Sequence, residues 1–255
     1  MNFLAAVHTD RGIRKERNQD SILLETAVTD HGQVLLSVIC DGMGGLAKGE
    51  VASAVLVRAF SNWFHKEFPC LLYSGIKADA VRQSWTDLLL EQDRKICEYG
   101  RKRNITLGTT AAALLLIENV YYIINIGDSR VYYLREGIKQ MTADQTFVQR
   151  EMDLGRMTFE EAKIHPKKNM LLQCVGAGGV IIPDFYAGRY KPDSVFMICS
   201  DGFRHVIRPQ EFWDRLQPEL METEEKMKET AVYFTELNKS RREEDNISVV
   251  LIRAY

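Results

Sequence analysis

Four aspartates lie next to the ends of predicted strands. Asp41 and Asp201 each follow an apolar strand and are each followed by glycine, while Asp20 and Asp245 come shortly before strands. A strand end holds a carboxylate firmly, and glycine permits a tight turn in which a backbone carbonyl can also face a ligand. Converging carboxylates repel one another unless a cation neutralises them, and carboxylate, carbonyl and water oxygens suit Mg²⁺ or Mn²⁺. The pattern predicts a divalent cation site.

Two such cations give a specific chemistry. Held a few ångströms apart, they lower the pKa of a shared water and clamp a phosphoryl group. Taken singly, each motif has an ordinary interpretation, because Asp-Gly at a strand end is usually a turn and Asn-Gln-Asp is usually a polar loop. The whole set in this order favours a two-metal hydrolytic centre.

A competing interpretation concerns the glycine-rich segment. Gly42-Met43-Gly44-Gly45-Leu46-Ala47 also fits the dinucleotide-binding pattern after a strand and before a helix. That loop must accept a pyrophosphate, which Asp41 and Glu50 would repel. The surrounding strands also do not alternate with helices. This interpretation is disfavoured.

Composition sets the broad class. The 255 residues are 45% apolar and 27% charged, with a net charge of −2, so no strong field points to nucleic acid or membrane as a partner. Five cysteines without a CxxC pair are expected to be reduced. The longest apolar run, Ala111–Ile117, is too short to span a bilayer, and the first residues lack a signal-peptide pattern. We expect a cytoplasmic monomer.

The elements that must position these residues are mostly short strands. Three helical segments are predicted, Ala47–Phe68, Ile76–Arg103 and about Glu219–Ser240. Strands in groups followed by helices in groups indicate an α+β protein forming a single domain over residues 1–255. The predicted strands are Asn2–His8, Ser21–Ala27, Val34–Cys40, Thr109–Ile117, Val120–Ile126, Arg130–Leu134, Val180–Tyr190, Ser194–Cys199 and Ile247–Arg253.

The ordered motifs resemble the metal-dependent protein phosphatases, the PPM or type 2C family, and most closely their compact bacterial members. The resemblance spans nearly the whole chain. Its motifs are Thr9-Asp10-Arg11-Gly12 with Asn18-Gln19-Asp20-Ser21, Cys40-Asp41-Gly42-Met43-Gly44-Gly45 with Gly49-Glu50-Val51-Ala52-Ser53, Gly108-Thr109-Thr110, Gly127-Asp128-Ser129-Arg130, Met141-Thr142-Ala143-Asp144-Gln145 with His165-Pro166-Lys167-Lys168-Asn169, Ser200-Asp201-Gly202, and Asp245-Asn246-Ile247-Ser248.

The resemblance implies a β-sandwich of two antiparallel sheets flanked by helix pairs. It also implies a binuclear Mn²⁺ or Mg²⁺ centre in which Asp41 bridges both ions and the Gly42 carbonyl binds one. Asp201 and Asp245 would hold the other ion, and Asp20 would act through metal-bound water. Asp41, Asp201 and Asp245 are thus the expected catalytic residues. Residues 141–169 would form a flap that influences substrate access.

The implied activity is hydrolysis of phosphoserine and phosphothreonine in proteins by a water activated between the two ions. Phosphorylated proteins are the expected partners, with a bacterial Ser/Thr kinase opposed by this activity. The alternative is a catalytically weak relative that binds phosphoproteins and regulates a kinase pathway.

The chain departs from the family pattern at two places. Lys15 stands where the family has a phosphate-gripping arginine, so Lys15 or the adjacent Arg14 is expected to bind phosphate. A third, weaker ion in many bacterial members has two aspartate ligands, which correspond here to Asp128 and His205. Imidazole suits Mn²⁺ better than Mg²⁺, so the third site is uncertain and a bias towards manganese is expected.

The proton donor to the leaving oxygen is open between His8 and His165. A single histidine is more often structural than catalytic, and the motifs favour neither residue.

Overall fold

Two five-stranded antiparallel sheets form the centre of the computed structural model, which describes residues 1–43 and 48–255. The first sheet has the strand order β1-β10-β9-β6-β7, and the second sheet has the order β2-β3-β4-β5-β8. The strands are β1 Phe3–Asp10, β2 Asp20–Thr29, β3 Gly32–Asp41, β4 Ala111–Ile117, β5 Val120–Ile126, β6 Arg130–Leu134, β7 Ile138–Gln140, β8 Asp184–Arg189, β9 Ser194–Cys199 and β10 Ile247–Ala254.

Alternation along each strand builds three apolar layers. In β3, Leu35 and Ile39 face the opposite sheet, while Val34, Leu36 and Val38 face helices. Successive side chains of a strand point to opposite faces, so a strand covered on both sides must be apolar throughout. This accounts for the continuous apolar runs of β3 and β4, which are buried along almost their whole length.

Helices cover the outer face of each sheet. The second sheet carries α1 and α3, with Trp63 and Trp85 buried between the helices and the strands. The first sheet carries α6, α7 and α8, packed through Phe212 and Phe234. The helices are α1 Gly49–Lys66, α2 Phe68–Tyr73, α3 Ala78–Arg103, α4 Phe147–Asp153, α5 Phe159–Ile164, α6 Asp201–Arg204, α7 Pro209–Leu216 and α8 Glu224–Ser240.

The predicted fold class is confirmed: two antiparallel sheets lie face to face with helices on both outer sides. No helix in residues 1–43 and 48–255 is long and apolar enough to cross a membrane.

Several predicted boundaries were wrong for local reasons. The helix predicted over Ala47–Phe68 corresponds to α1, which ends at Lys66. Phe68 begins α2, which has Pro69 in its first turn, where the missing N–H costs nothing. The helix predicted from Glu219 starts at Glu224, since the Thr223 hydroxyl accepts a hydrogen bond from the Lys226 N–H and caps it. Ala47 itself lies outside the described residues.

The strand predicted from Val180 begins only at Asp184. Pro183, which lacks a backbone N–H, directly precedes the strand. The backbone of Ile182 instead pairs with the side chain of Gln173. Within the predicted flap the structure adds α4 and α5, and just before it the short strand β7.

Candidate active site

Asp20 and Asp41 face each other at one end of the second sheet. They are direct partners in the antiparallel pairing of β2 with β3. The backbone of Asp41 is fixed on its other side, because its N–H donates to the Thr110 hydroxyl at 3.0 Å and its carbonyl accepts from the Thr110 N–H at 2.9 Å. The Thr109 hydroxyl donates to the same carbonyl at 3.0 Å. This bracing holds Asp41 in place.

Asp201 and Asp245 come from the first sheet. Asp201 starts α6 immediately after β9, and Asp245 lies in the turn before β10. The two turns touch closely: a Cβ at Gly202 would lie 2.2 Å from the Asn246 carbonyl oxygen, so only glycine fits. Since β9 and β10 are paired, the two carboxylates are delivered to the same end of the sandwich as Asp20 and Asp41.

The four carboxylates influence one another electrostatically. Burial, together with the charges of Asp20, Asp201 and Asp245, raises the pKa of Asp41 well above its ordinary value. Burial, reinforced by the Asp201 charge, raises the pKa of Asp20 to about 7. The cluster therefore carries negative charge that its surroundings do not fully offset.

Asp201 differs from its neighbours. Burial disfavours its charge, but His205 and Arg204 outweigh burial and hold its pKa below the ordinary value. Its carboxylate is also within hydrogen-bonding reach of Asp41. The pKa of Asp41 is thus raised while the pKa of the adjacent Asp201 is lowered, as expected for two neighbouring carboxyl groups of which only one lies beside cationic side chains.

The donor set fits hard divalent cations. Both carboxylate oxygens of Asp20 and Oδ1 of Asp201 are buried without a hydrogen-bond partner in the described residues. A buried carboxylate oxygen without a partner is costly, and a cation satisfies it. Across residues 1–43 and 48–255, no three His, Cys, Asp or Glu side chains are already arranged as a ligand shell. The orphaned oxygens and the mutual charge therefore carry the ligand assignment.

Gly42 lies directly beside this cluster. Its N–H donates to the Gln19 carbonyl at 3.1 Å, and it forms an isolated bridge with Thr109. A Cβ there would lie 2.5 Å from the carbonyl oxygens of Gln19 and Gly49, so the tight turn requires glycine. The role of its carbonyl as a metal ligand stays a prediction. Gly44 and Gly45 of the same motif, and Leu46 and Ala47 of the disfavoured dinucleotide pattern, lie outside the described residues.

Of the two predicted phosphate-binding residues, only Lys15 reaches the carboxylates. Its Nζ lies 2.8 Å from Oδ1 of Asp245, and its side chain is 29% exposed. Burial disfavours its charge, but the Asp245 hydrogen bond and nearby acidic charges raise the pKa of Lys15. Arg14 instead pairs with Glu244, and its side chain is 70% exposed.

The predicted third-ion residues have protein partners. Nη2 of Arg204 donates to the carbonyl oxygen of Asp128 at 2.9 Å and lies 3.4 Å from its Oδ2. His205 sits between two carboxylates, with Nε2 3.3 Å from Oδ2 of Asp201 and Nδ1 3.4 Å from Oε2 of Glu243. These contacts argue against an ion held by Asp128 and His205. Sequence reasoning missed both Arg204 and Glu243.

Neither candidate general acid contacts the four aspartates in the described residues. His8 lies under α8, where burial lowers its pKa and its charged neighbours include Asp10 and Lys239. His165 ends α5 within the flap, and its ring stacks on Phe147 with centroids 5.4 Å apart. The position of His8 argues against a role in proton transfer. His165 remains a candidate for the proton donor because it lies in the flap, which is expected to lie beside the site.

Comparisons with known proteins agree with this geometry. Serine/threonine phosphatase stp of Listeria innocua serovar 6a is 28% identical over 251 residues, covering 97% of this chain and 94% of that protein. Protein phosphatase PhpP of Streptococcus pneumoniae is 30% identical over 209 residues, covering 81% of each.

Solved structures extend the likeness to the fold. The S. agalactiae serine/threonine phosphatase superposes with a TM-score of 0.85 at 25% identity, covering all of both chains. The catalytic domain of PstP, solved in complex with two manganese ions, gives a TM-score of 0.78 at 28% identity over 98% of this chain and 97% of that one.

A family model described as protein phosphatase 2C matches residues 8–239, which is most of the chain. The Listeria relative is named a serine/threonine phosphatase and PhpP a protein phosphatase, and the family consists of metal-dependent phosphoprotein hydrolases. This chain belongs to the protein phosphatase 2C family.

Proposed function

We propose that this chain hydrolyses phosphoserine and phosphothreonine in proteins at a centre of two Mn²⁺ or Mg²⁺ ions. One observation carries the proposal: two strand-end aspartates from each sheet converge, and three of their buried oxygens have no hydrogen-bond partner in the described residues. The complete set of aspartates argues against the alternative of a catalytically weak phosphoprotein-binding regulator. We treat residues 1–255 as one catalytic domain.

The ligand roles follow from position. Asp41 is paired with Asp20 on its own sheet and neighbours Asp201 from the other sheet, so we expect it to contact both ions. Asp201 and Asp245 would hold one ion, and the Gly42 carbonyl with Asp20 would serve the other. When bound, the two ions supply Lewis acidity, activating water and offsetting charge on the phosphoryl oxygens.

Lys15 is the phosphate-binding residue in this proposal. Its ammonium lies beside Asp245 and is charged at neutral pH, so it can meet a phosphoryl oxygen arriving at the cluster. Lysine binds phosphate as a point charge rather than through two parallel hydrogen bonds as arginine does. The contact with Asp245 should therefore orient the Lys15 ammonium towards the phosphate. Arg14 points towards Glu244 and is not needed for this step.

The flap, residues 141–169, would govern access to the site. Its first residues are tied to the loop that carries Asp128, since the Gln145 N–H donates to the Gly127 carbonyl at 2.9 Å. Exposed apolar residues of α5 and its surroundings, Phe159 and Ile164, give the flap a surface that a protein substrate can contact.

The cellular part of the proposal is a cytoplasmic phosphatase that opposes a Ser/Thr kinase. The names of the relatives support phosphorylated proteins as substrates. Quantitative phosphoproteomics of cells lacking this protein should show phosphoserine and phosphothreonine sites rising together. Unchanged occupancy at every such site would contradict the kinase-opposing role.

Substrate class is tested with matched peptides. Phosphothreonine and phosphoserine peptides should release phosphate with Mn²⁺ and not with chelator, whereas the phosphotyrosine version should react far more slowly. Lys15→Met should raise the KM for the phosphothreonine peptide about tenfold, the effect of losing roughly 1.4 kcal/mol of binding. Arg14→Met is the control, and an equal KM rise in both variants would remove Lys15 from its assigned role.

A further inference from the structure

A buried quartet of charges adjoins the aspartate cluster. Arg130 forms a bidentate pair with Asp144, with both N–O distances at 2.6 Å. Nη2 of Arg204 lies 3.4 Å from Oδ2 of Asp144. The same nitrogen donates a hydrogen bond to the backbone carbonyl oxygen of Asp128 at 2.9 Å. The side chains of Asp128, Asp144 and Arg204 are only 9–10% exposed. Two arginines therefore face two carboxylates in a dry environment.

The quartet contains as many guanidinium groups as carboxyl groups, whereas the neighbouring cluster has more carboxyl groups than cations. Arg130 and Arg204 face the carboxyl groups of Asp128 and Asp144. Burial disfavours the charge of Arg204, but Asp144 and Asp128 outweigh burial and raise its pKa, so it stays cationic. The four clustered aspartates have only Lys15 and His205 as cationic contacts in the described residues.

Geometry leaves little room for an additional ion at Asp128. Arg204 is three residues after Asp201 on the single turn of α6, and its guanidinium contacts both the carbonyl oxygen and the carboxylate of Asp128. Both oxygens of Asp144 are already engaged by Arg130. A divalent cation binding Asp128 would have to displace a permanently charged guanidinium or bear its repulsion in a low-dielectric site.

We propose that Arg204 is a built-in cation that takes the place of a third divalent ion at Asp128, so that the centre holds two ions. The guanidinium also joins the Asp128 loop to Asp144 at the base of the flap, which makes Arg204 a positioning residue. This inference rests on the proposed two-ion centre, and its tests separate the two.

The test counts bound manganese directly. Stripped protein is titrated with Mn²⁺ and free ion is followed by its electron paramagnetic resonance signal, which needs no turnover. Wild type should bind two ions, and Asp128→Asn should also bind two. Arg204→Ser should gain one weaker site, because Asp128 and Asp144 then lack their shared cation. Arg150→Ser, which removes a flap arginine outside the quartet, should leave the count at two.

Three ions in wild type, falling to two in Asp128→Asn, would overturn the inference while leaving the two-ion centre intact. An unchanged count of two in folded Arg204→Ser would also overturn it. Should Arg204→Ser fail to fold, the comparison of wild type with Asp128→Asn decides alone. A wild-type count below two would contradict the proposed function. In that case a lower count in Asp128→Asn than in wild type would overturn the Arg204 assignment, and an equal count would support it.

Discussion

Asp20 should make the stability of the metal-free protein depend on pH. Neither of its buried oxygens has a hydrogen-bond partner within residues 1–43 and 48–255, and its pKa is raised from 3.8 to about 7. A carboxyl whose pKa is higher in the folded than in the unfolded protein binds its proton more tightly when folded. It therefore contributes stability at low pH that is lost as pH rises from about 4 towards 7 and above. Removing this titration with Asp20→Asn should flatten that loss in the metal-free protein.

The linkage relation gives the size of the effect. A shift from 3.8 to about 7 makes the folded state about 2–3 kcal/mol less stable at pH 8 than at pH 5 through this residue alone. For a domain of this length that corresponds to about 6 °C in Tm. The gap in Tm between Asp20→Asn and wild type should widen by that amount, in favour of the variant, between pH 5 and pH 8.

The assay is thermal unfolding of metal-free protein at both pH values. Asp30→Asn is the matched control, since Asp30 is an exposed turn residue and its variant should follow wild type at both pH values. A constant difference between Asp20→Asn and wild type across the range would refute the account of Asp20 as a desolvated, proton-retaining carboxyl. Adding Mn²⁺ should oppose this loss in wild type, because the cation binds the deprotonated carboxylates and its stabilisation increases with pH.

Three further outcomes are expected. Asp41→Asn and Asp201→Asn should each lower kcat by at least about 100-fold without unfolding the protein, checked by kinetics and circular dichroism at saturating Mn²⁺; near-normal turnover would place the site elsewhere. Mn²⁺ at a hundred times its Kd should stabilise wild type by roughly 2.7 kcal/mol in a melting experiment, and unchanged melting would count against the cluster. Gly176→Ala should destabilise the fold by about 2–4 kcal/mol, since its Cβ would lie 2.3 Å from Cγ2 of Ile96 at a φ of 97°. Gly178→Ala has a similar φ with open space around it and should cost clearly less, so equal losses would refute the packing argument.

The Gly176 prediction bears on function because the loop that contains Gly176 is connected to Asp41 by hydrogen bonds. Asp93 of α3 accepts a hydrogen bond from the Gly176 N–H at 2.7 Å. The adjacent Val175 exchanges two backbone hydrogen bonds with Thr109, at 3.0 and 2.9 Å. Thr109 in turn donates to the Asp41 carbonyl. A continuous set of hydrogen bonds thus connects a surface helix to the central aspartate.

Two of the four aspartates are marked locally in the sequence, whereas Asp20 and Asp245 were selected by the order of the motifs. Asp41 and Asp201 combine an apolar run with a following glycine, and both features are visible within a few residues. The alternation of β3 and the continuous burial of β4 likewise follow from local patterns. The grouping of strands and helices likewise indicated an α+β protein, whereas the sandwich of two antiparallel sheets was an expectation from the family resemblance.

The partners of these residues could not be read in the same way. Arg204 meets Asp128 across 76 residues of chain, and His205 meets Glu243 across 38. Nothing beside Arg204 in sequence distinguishes it from a solvated arginine on a short helix. Long-range ion pairs depend on how the sheets bring loops together. The contact between Arg204 and Asp128 therefore became visible only in the three-dimensional structure. The flap helices were missed because they are short and hold few buried residues.

The central claim is that the convergent aspartates form a two-cation phosphatase centre. The most direct test is a Mn²⁺ titration of stripped enzyme, with phosphate release from a phosphothreonine peptide and bound manganese measured in the same samples. Activity should be absent without metal and should reach its plateau as the second ion binds, while Asp201→Asn should fail to reach that plateau at any comparable concentration. Full hydrolysis in chelator, or a plateau already complete with one ion bound, would contradict the account.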